Sequence, residues 1–297
     1  MTSAVLASGA VACGSDTGDD AGSADTGLTR ALATIPVSAA DQSVLFRDVP
    51  TIRKLLAADN KLYANLDGYA IPELTQYRGG NLKADYGYEE TDVTTSLLVG
   101  NSPTSFLVGT FKPDAVGQAM TGHGYTSSKD DAGTHLTKPD SPTVDVSETV
   151  RVERTSSDAP ALPLAPPEES VAGDAAYAAM TKCLGDVYEA SLYGKNVGQN
   201  KDVVLFGSGA KVDAQNKSTE TLCIVTASQD AAETTAKALR DAQENGPGKN
   251  YAGSKVTVGD GETPVVSMTW ENSSESGRRP GDVDKFGELP RVALKLY

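Results

Sequence analysis

His123 and His135 are the only two histidines in the chain, and Asp130 and Asp131 lie between them. A metal site can be drawn from these four residues. Zinc, however, takes ligands at helical or knuckle spacing plus a third protein ligand from elsewhere, and this stretch has neither feature. No metal and no cofactor is expected. Gly207-Ser208-Gly209 lacks both the glycine spacing of a hydrolase nucleophile elbow and the Lys-Ser/Thr ending of a phosphate loop. It reads as a tight bend in a strand pair. Asp67-Gly68 and Asp260-Gly261 do not continue into the alternating ligands of a calcium loop, and they read as turns. With 40 Asp and Glu residues, a carboxylate pair could converge in the fold and leave no trace in the spacing. No catalytic residue is assigned.

The tyrosines are a second source of chemistry. Tyr63, Tyr69, Tyr77, Tyr86 and Tyr88 crowd one stretch among Asp67, Glu73, Asp85 and Glu89. A tyrosine combines a flat apolar body with a polar tip, which suits contact with glycans or protein surfaces; the alternative is that these rings pack helices onto a sheet.

Cysteine usage speaks to address. Ala10-Val11-Ala12-Cys13 closes a small, apolar N-terminal run and precedes an acidic run of small residues. It resembles the end of a bacterial lipoprotein signal peptide, which implies cleavage before Cys13 and a diacylglyceryl group on its thiol. Cys183 and Cys223 then remain as an even pair in an oxidising compartment, where a disulfide is expected and two buried free thiols are the alternative. Neither has a C-x-x-C neighbour or a nearby histidine that would make it a nucleophile.

The elements that must position these residues follow from periodicity. Asp48 caps a helix carrying Pro50 in its first turn. Residues 96–100 and 105–111 read as paired strands about Asn101-Ser102-Pro103, and a helix starts at Pro113. A hairpin over 125–137 and strands within 143–152 follow. Asp174 caps a helix over 175–192, whose stripe includes Cys183, and Ser228 caps another over 229–244. Strands at 203–206 and 220–226 precede that last helix, strands at 255–258 and 265–270 follow it, and a short helix near 283–289 closes the chain.

Leu107-Val108-Gly109-Thr110 recurs in register as Cys223-Ile224-Val225-Thr226, and Asp114-Ala115 recurs as Asp230-Ala231. The expected fold is therefore α+β: two related halves arising by internal duplication, each an antiparallel sheet covered on one face by helices. The expected organisation is a signal remnant, lipobox-like Cys and acidic tether (1–26), a first half (27–155), a Pro-rich connector (156–173) and a second half (174–297).

The lipobox-like start, F-x-P-D-A-V-x-x-A-M at Phe111–Met120 followed by Gly124-Tyr125, and C-L-G-D-V at Cys183–Val187 together resemble lipoproteins of high-GC Gram-positive (actinobacterial) bacteria that have no established activity. The resemblance spans most of the chain. It implies export and a two-half fold, and it carries no active-site residues.

A net charge of −14 repels nucleic acid and anionic headgroups, so membrane contact is expected only through the lipid anchor. The expected protein is a non-catalytic lipoprotein on the outer face of the cytoplasmic membrane, a binding or scaffold module for an envelope protein or glycan. The alternative is an envelope-associated hydrolase or metal-dependent enzyme whose acidic residues converge only in the fold.

Overall fold

Alternation along the strands decides this architecture, because successive side chains point to opposite sides of a sheet. The computed structural model describes residues 25–76, 81–195, 200–215, 217–245, 251–275, 277–283 and 288–294; Cys13 and Tyr77 lie outside them. The strands are β1 (Val44–Asp48), β2 (Val93–Val99), β3 (Thr104–Gly109), β4 (Thr126–Lys129), β5 (Thr134–Thr137), β6 (Thr143–Val146), β7 (Val150–Arg154), β8 (Glu189–Tyr193), β9 (Val203–Val212), β10 (Ser218–Thr226), β11 (Lys255–Val258) and β12 (Val265–Glu271). They form one continuous twelve-stranded sheet in the order β11-β12-β10-β9-β8-β1-β2-β3-β7-β6-β5-β4. Every pairing is antiparallel. The N-terminal and C-terminal strands belong to a single sheet, joined where β1 pairs with β8.

The helices are α1 (Gly27–Leu32), α2 (Val49–Ala58), α3 (Pro72–Gln76), α4 (Leu82–Tyr86), α5 (Pro113–Gly122), α6 (Ala175–Leu184), α7 (Gln229–Asn245) and α8 (Glu288–Leu294). Local chemistry explains their starts. The Asp48 side chain accepts from Thr51 N, Asp174 accepts from Ala176 N and Tyr177 N, and the Ser228 hydroxyl accepts from Ala231 N. Each such cap is worth about 1 kcal/mol.

Helices cover both faces, not one as expected. On the first face the row Val152, Phe106, Leu97, Phe46 and Ala190 shares a core with α1 and α6. Leu222 and Ile224 flank Cys223 on β10 and point the other way, into a core with α7 and α8. A third core gathers Leu107, Val144 and Val146 under α2 and α5. The connector is not a free linker, since Ala159, Leu162 and Val171 are buried and Val171 N donates to Ile35 O at 3.0 Å.

The disulfide between Cys183 of α6 and Cys223 of β10 is formed, and it ties α6 to the first face. Nearby, Gly207-Ser208-Gly209 is not a bend; it runs inside β9. A Cβ on Gly207 would come within 3.2 Å of Met180 Sδ, and one on Gly209 within 3.4 Å of the Leu184 side chain, so the glycines let α6 lie close.

The largest departure concerns residues 185–192. The helix expected over 175–192 stops at Leu184, Gly185 follows at φ 72°, and Glu189–Tyr193 is the strand β8 at the centre of the sheet. Ladders with β1 and β9 on its two sides outweigh the local helical pattern. A closing helix is described over Glu288–Leu294, and residues 284–287 of the expected span lie outside the described residues.

Candidate functional site

On the second face, two helical groups leave the middle of the sheet between them. Residues 63–71, α2, α3 and α5 cover the β1–β7 side, and α7 with α8 covers the β9–β12 side. The two groups meet at one end. Tyr63 and Tyr188 contact edge to face at 6.1 Å between centroids, Asn65 Nδ2 donates to Asp282 Oδ1 at 2.6 Å, and Gly281 N donates to Glu220 Oε1 at 3.2 Å.

Two cross-strand rows define the floor between the groups. The row nearer the closed end reads Arg151, Leu107, Ser96, Arg47, Glu189, Ala210, Glu220, Trp270. Arg47 and Glu189 form a buried ion pair. At the row's end Arg151, fully buried, holds Glu73 at 2.7 Å and Glu153 at 2.9 Å, with its guanidinium 5.3 Å from the Tyr88 ring. Burial pushes the Glu153 carboxyl up, and the Arg151 charge opposes that shift. Burial likewise pushes the Tyr88 hydroxyl well above its ordinary value. The acids that the fold brings together on this floor are therefore engaged with protein cations or amides.

The next row reads Glu153, Ser105, Leu98, Leu45, Ser191, Ser208, Leu222, Met268. At its centre a groove of about 600 Å³ opens, with Leu45, Leu98 and Ser191 in its floor. Asp41, Gln42 and Ser43 form one rim, Asn101 and Pro103 of the β2–β3 turn form another, and Tyr193 stands beside Ser191 on the same face of β8. Leu45 and Leu98 are half-buried. The hydroxyls of Ser105 and Ser208, on the same row, are buried without a hydrogen-bond partner.

Two glycines shape this groove. Gly100 sits at φ 91°, and its amide donates to Ser43 O at 2.8 Å, linking the two rims. A Cβ at Gly194 would stand 2.1 Å from the Asp41 carbonyl carbon, so only glycine allows the 40–42 loop to lie against the end of β8. Lys195 N donating to Ala40 O at 2.9 Å holds that approach.

The residues singled out by type are dispersed. His123 ends α5 and lies 3.7 Å from Asp85, whereas His135 on β5 is held by Asp145 at 2.7 Å and Asp130 at 3.0 Å. Hydrogen bonds to Asp130 and Asp145 raise the His135 pKa, and the contact with His135 lowers that of Asp130. Among the described residues no group of three or more His, Cys, Asp and Glu is arranged to hold a metal.

Of the two readings of this stretch, the packing one holds for the described rings: Tyr63, Tyr69 and Tyr88 are buried in the second-face core and Tyr86 is half-buried against it. Their apolar bodies fill the space between the sheet and residues 63–71. A second hollow of about 760 Å³ lies between α4 and α5, where Lys83 is paired with Glu89 at 2.5 Å. The central groove escaped sequence reasoning because its walls come from three distant segments, one of them read as helix.

No family model matches the chain, and no curated protein matches it. Among solved structures, crystal form I of TP0453 is similar at 12% identity and a TM-score of 0.44, over 90% of this chain and 97% of that one.

Proposed function

We propose that this chain is an exported lipoprotein, anchored through Cys13 on the outer face of the cytoplasmic membrane, whose folded part binds an envelope component in the central groove. The observation that carries the binding reading is the groove itself. It is a recess with an apolar floor and polar rims, placed where β1, β2 and β8 meet, while the buried acids around it are already committed to partners. The same reading includes an ancestral duplication. The order β1-β2-β3-β7-β6 on one side of the seam is matched by β8-β9-β10-β12-β11 on the other. The similar runs at 107–110 and 223–226 fall at the equivalent strands β3 and β10, offset by one residue, because Leu107 faces the second-face core and Cys223 the first. The groove then lies at the β1–β8 seam that joins the halves.

A photo-crosslinking amino acid introduced in place of Leu98, in protein expressed in its native host, tests the binding reading. An envelope adduct formed from position 98 and absent from a control position at exposed Lys237 supports it. Equal adducts from both positions, or none from position 98, would overturn it. Intact mass of the membrane-extracted protein tests the anchor: a chain starting at Cys13 with a diacylglyceryl group is expected, and an unmodified chain refutes it.

A further inference from the structure

We infer that the ligand of the central groove is a neutral saccharide, an inference that rests on the binding reading above. The groove's charge is the first argument. Among the described residues lining it, Asp41 is the one ionisable acid or base outside the tyrosine class, and there is no lysine, arginine or histidine. On a chain of net charge −14 such a lining repels phosphates and carboxylates and offers them no cation.

Its polarity is the second argument. A sugar ring has a flat C–H face and a rim of hydroxyls that both donate and accept hydrogen bonds. The groove presents the complementary pair. Leu45 and Leu98 supply an apolar floor, with Pro103 and the Tyr193 ring at its borders. Gln42 and Asn101 supply amides, Ser43 and Ser191 hydroxyls, and Asp41 a carboxylate. The amides and hydroxyls each donate and accept, as neutral hydroxyls require. Beside Ser191, the unpartnered buried hydroxyl of Ser208 adds a further polar group on the same row.

The sheet supplies the third argument, against the obvious competitors. An extended peptide binds a sheet by adding to a free edge. β1, β2 and β8 are interior strands with neighbours on both sides, so their backbone groups are already paired. An acyl chain needs an enclosed apolar tunnel, and this recess is open, with at least half of its side-chain types polar. A volume of about 600 Å³ suits a short oligosaccharide.

Calorimetric titration of the folded protein with cellotetraose, maltotetraose, mannotetraose and tetra-N-acetylchitotetraose tests the inference, with tetragalacturonate and an N-acetylated tetra-alanine amide as comparators. At least one neutral tetrasaccharide is expected to saturate with a dissociation constant of about 1 mM or tighter. Asn101→Ala and Gln42→Ala, both at the solvent-facing rim, are expected to weaken it about tenfold at unchanged melting temperature, and Ser191→Val to do the same from the floor. Failure of all four to bind at about 10 mM, binding indifferent to all three substitutions, or tighter binding of tetragalacturonate overturns the inference. A polypeptide adduct at position 98, or saturation by the tetra-alanine amide alone, overturns the saccharide while leaving the binding groove standing. The absence of any adduct specific to position 98 removes both.

Discussion

Replacing Arg151 by methionine tests the electrostatics of the sheet's second face. The substitution keeps most of the side chain's length and removes its charge, leaving Glu73 and Glu153 buried together with no cation between them. Breaking a buried pair in this way costs about 3–5 kcal/mol, and the lost contact with the Tyr88 ring adds about 1 kcal/mol. A total near 5 kcal/mol, at an m-value of about 3 kcal/mol/M, moves the urea midpoint down by about 1.7 M. The loss should depend on pH in a definite direction. Without the guanidinium, the Glu153 carboxyl, which burial already holds above its unfolded pKa, loses the charge that opposes that shift, so the penalty is full at pH values above its folded pKa and shrinks as falling pH protonates it. Urea titrations under non-reducing conditions at about pH 5 and pH 8 read this out. The uncharged triple variant Arg151→Met/Glu73→Gln/Glu153→Gln should recover most of the loss, because no uncompensated charge remains. A loss under about 1 kcal/mol, or one that does not change with pH, would refute the reasoning, since it would mean that water reaches these carboxylates.

Removing the disulfide with Cys183→Ser and Cys223→Ser, which frees a 40-residue separation, should lower stability by about 4 kcal/mol, measured by urea titration. The His135 clasp should be pH-dependent. Its imidazole has a raised pKa, so its contribution is complete below about pH 6.5 and fades as pH rises through the folded value; Asp130 has a lowered pKa, so its share is present above about pH 4 and is lost on acidification through the folded value. Exchange protection at Ala132 and Gly133, whose amides donate to Asp130 Oδ1, should therefore be greatest between those limits, and His135→Gln should abolish its fall at the alkaline end while leaving the acid one. Gly194→Ala should cost about 1–3 kcal/mol by forcing the 40–42 loop away from β8. It should also weaken any groove ligand, and unchanged thermal stability would show that the loop yields freely.

Much of this structure is legible in local chemistry. Asp48, Asp174 and Ser228 announce helix starts because a side-chain oxygen must satisfy amides that the first turn leaves unpaired, and this requirement is independent of the rest of the fold. The turns at Asn101-Ser102-Pro103 and Gly259-Asp260-Gly261 separate strands that do pair, β2 with β3 and β11 with β12. The union of Cys183 with Cys223 is the expectation from counting thiols, and the disulfide between them is formed. The run Leu222–Val225 is apolar without alternation, which in hindsight marks a strand buried on both faces and was the available sign that helices lie on both sides.

What tertiary structure alone decided is concentrated at β8 and the groove. The segment 185–193 continues an apolar helical stripe, and only the ladders to β1 and β9 make it a strand; those partners are remote in sequence, so no local signal could weigh them. The tyrosines were ambiguous between core and surface until the 63–71 segment folded down onto the sheet. Leu45, Leu98 and Ser191 become neighbours through two strand registers, and their chemistry as one surface has no counterpart in the order of residues along the chain. Caps, turns and periodicity are properties of short segments and survive translation into sequence. A binding surface assembled across three strands depends on register, and register is fixed by the whole sheet.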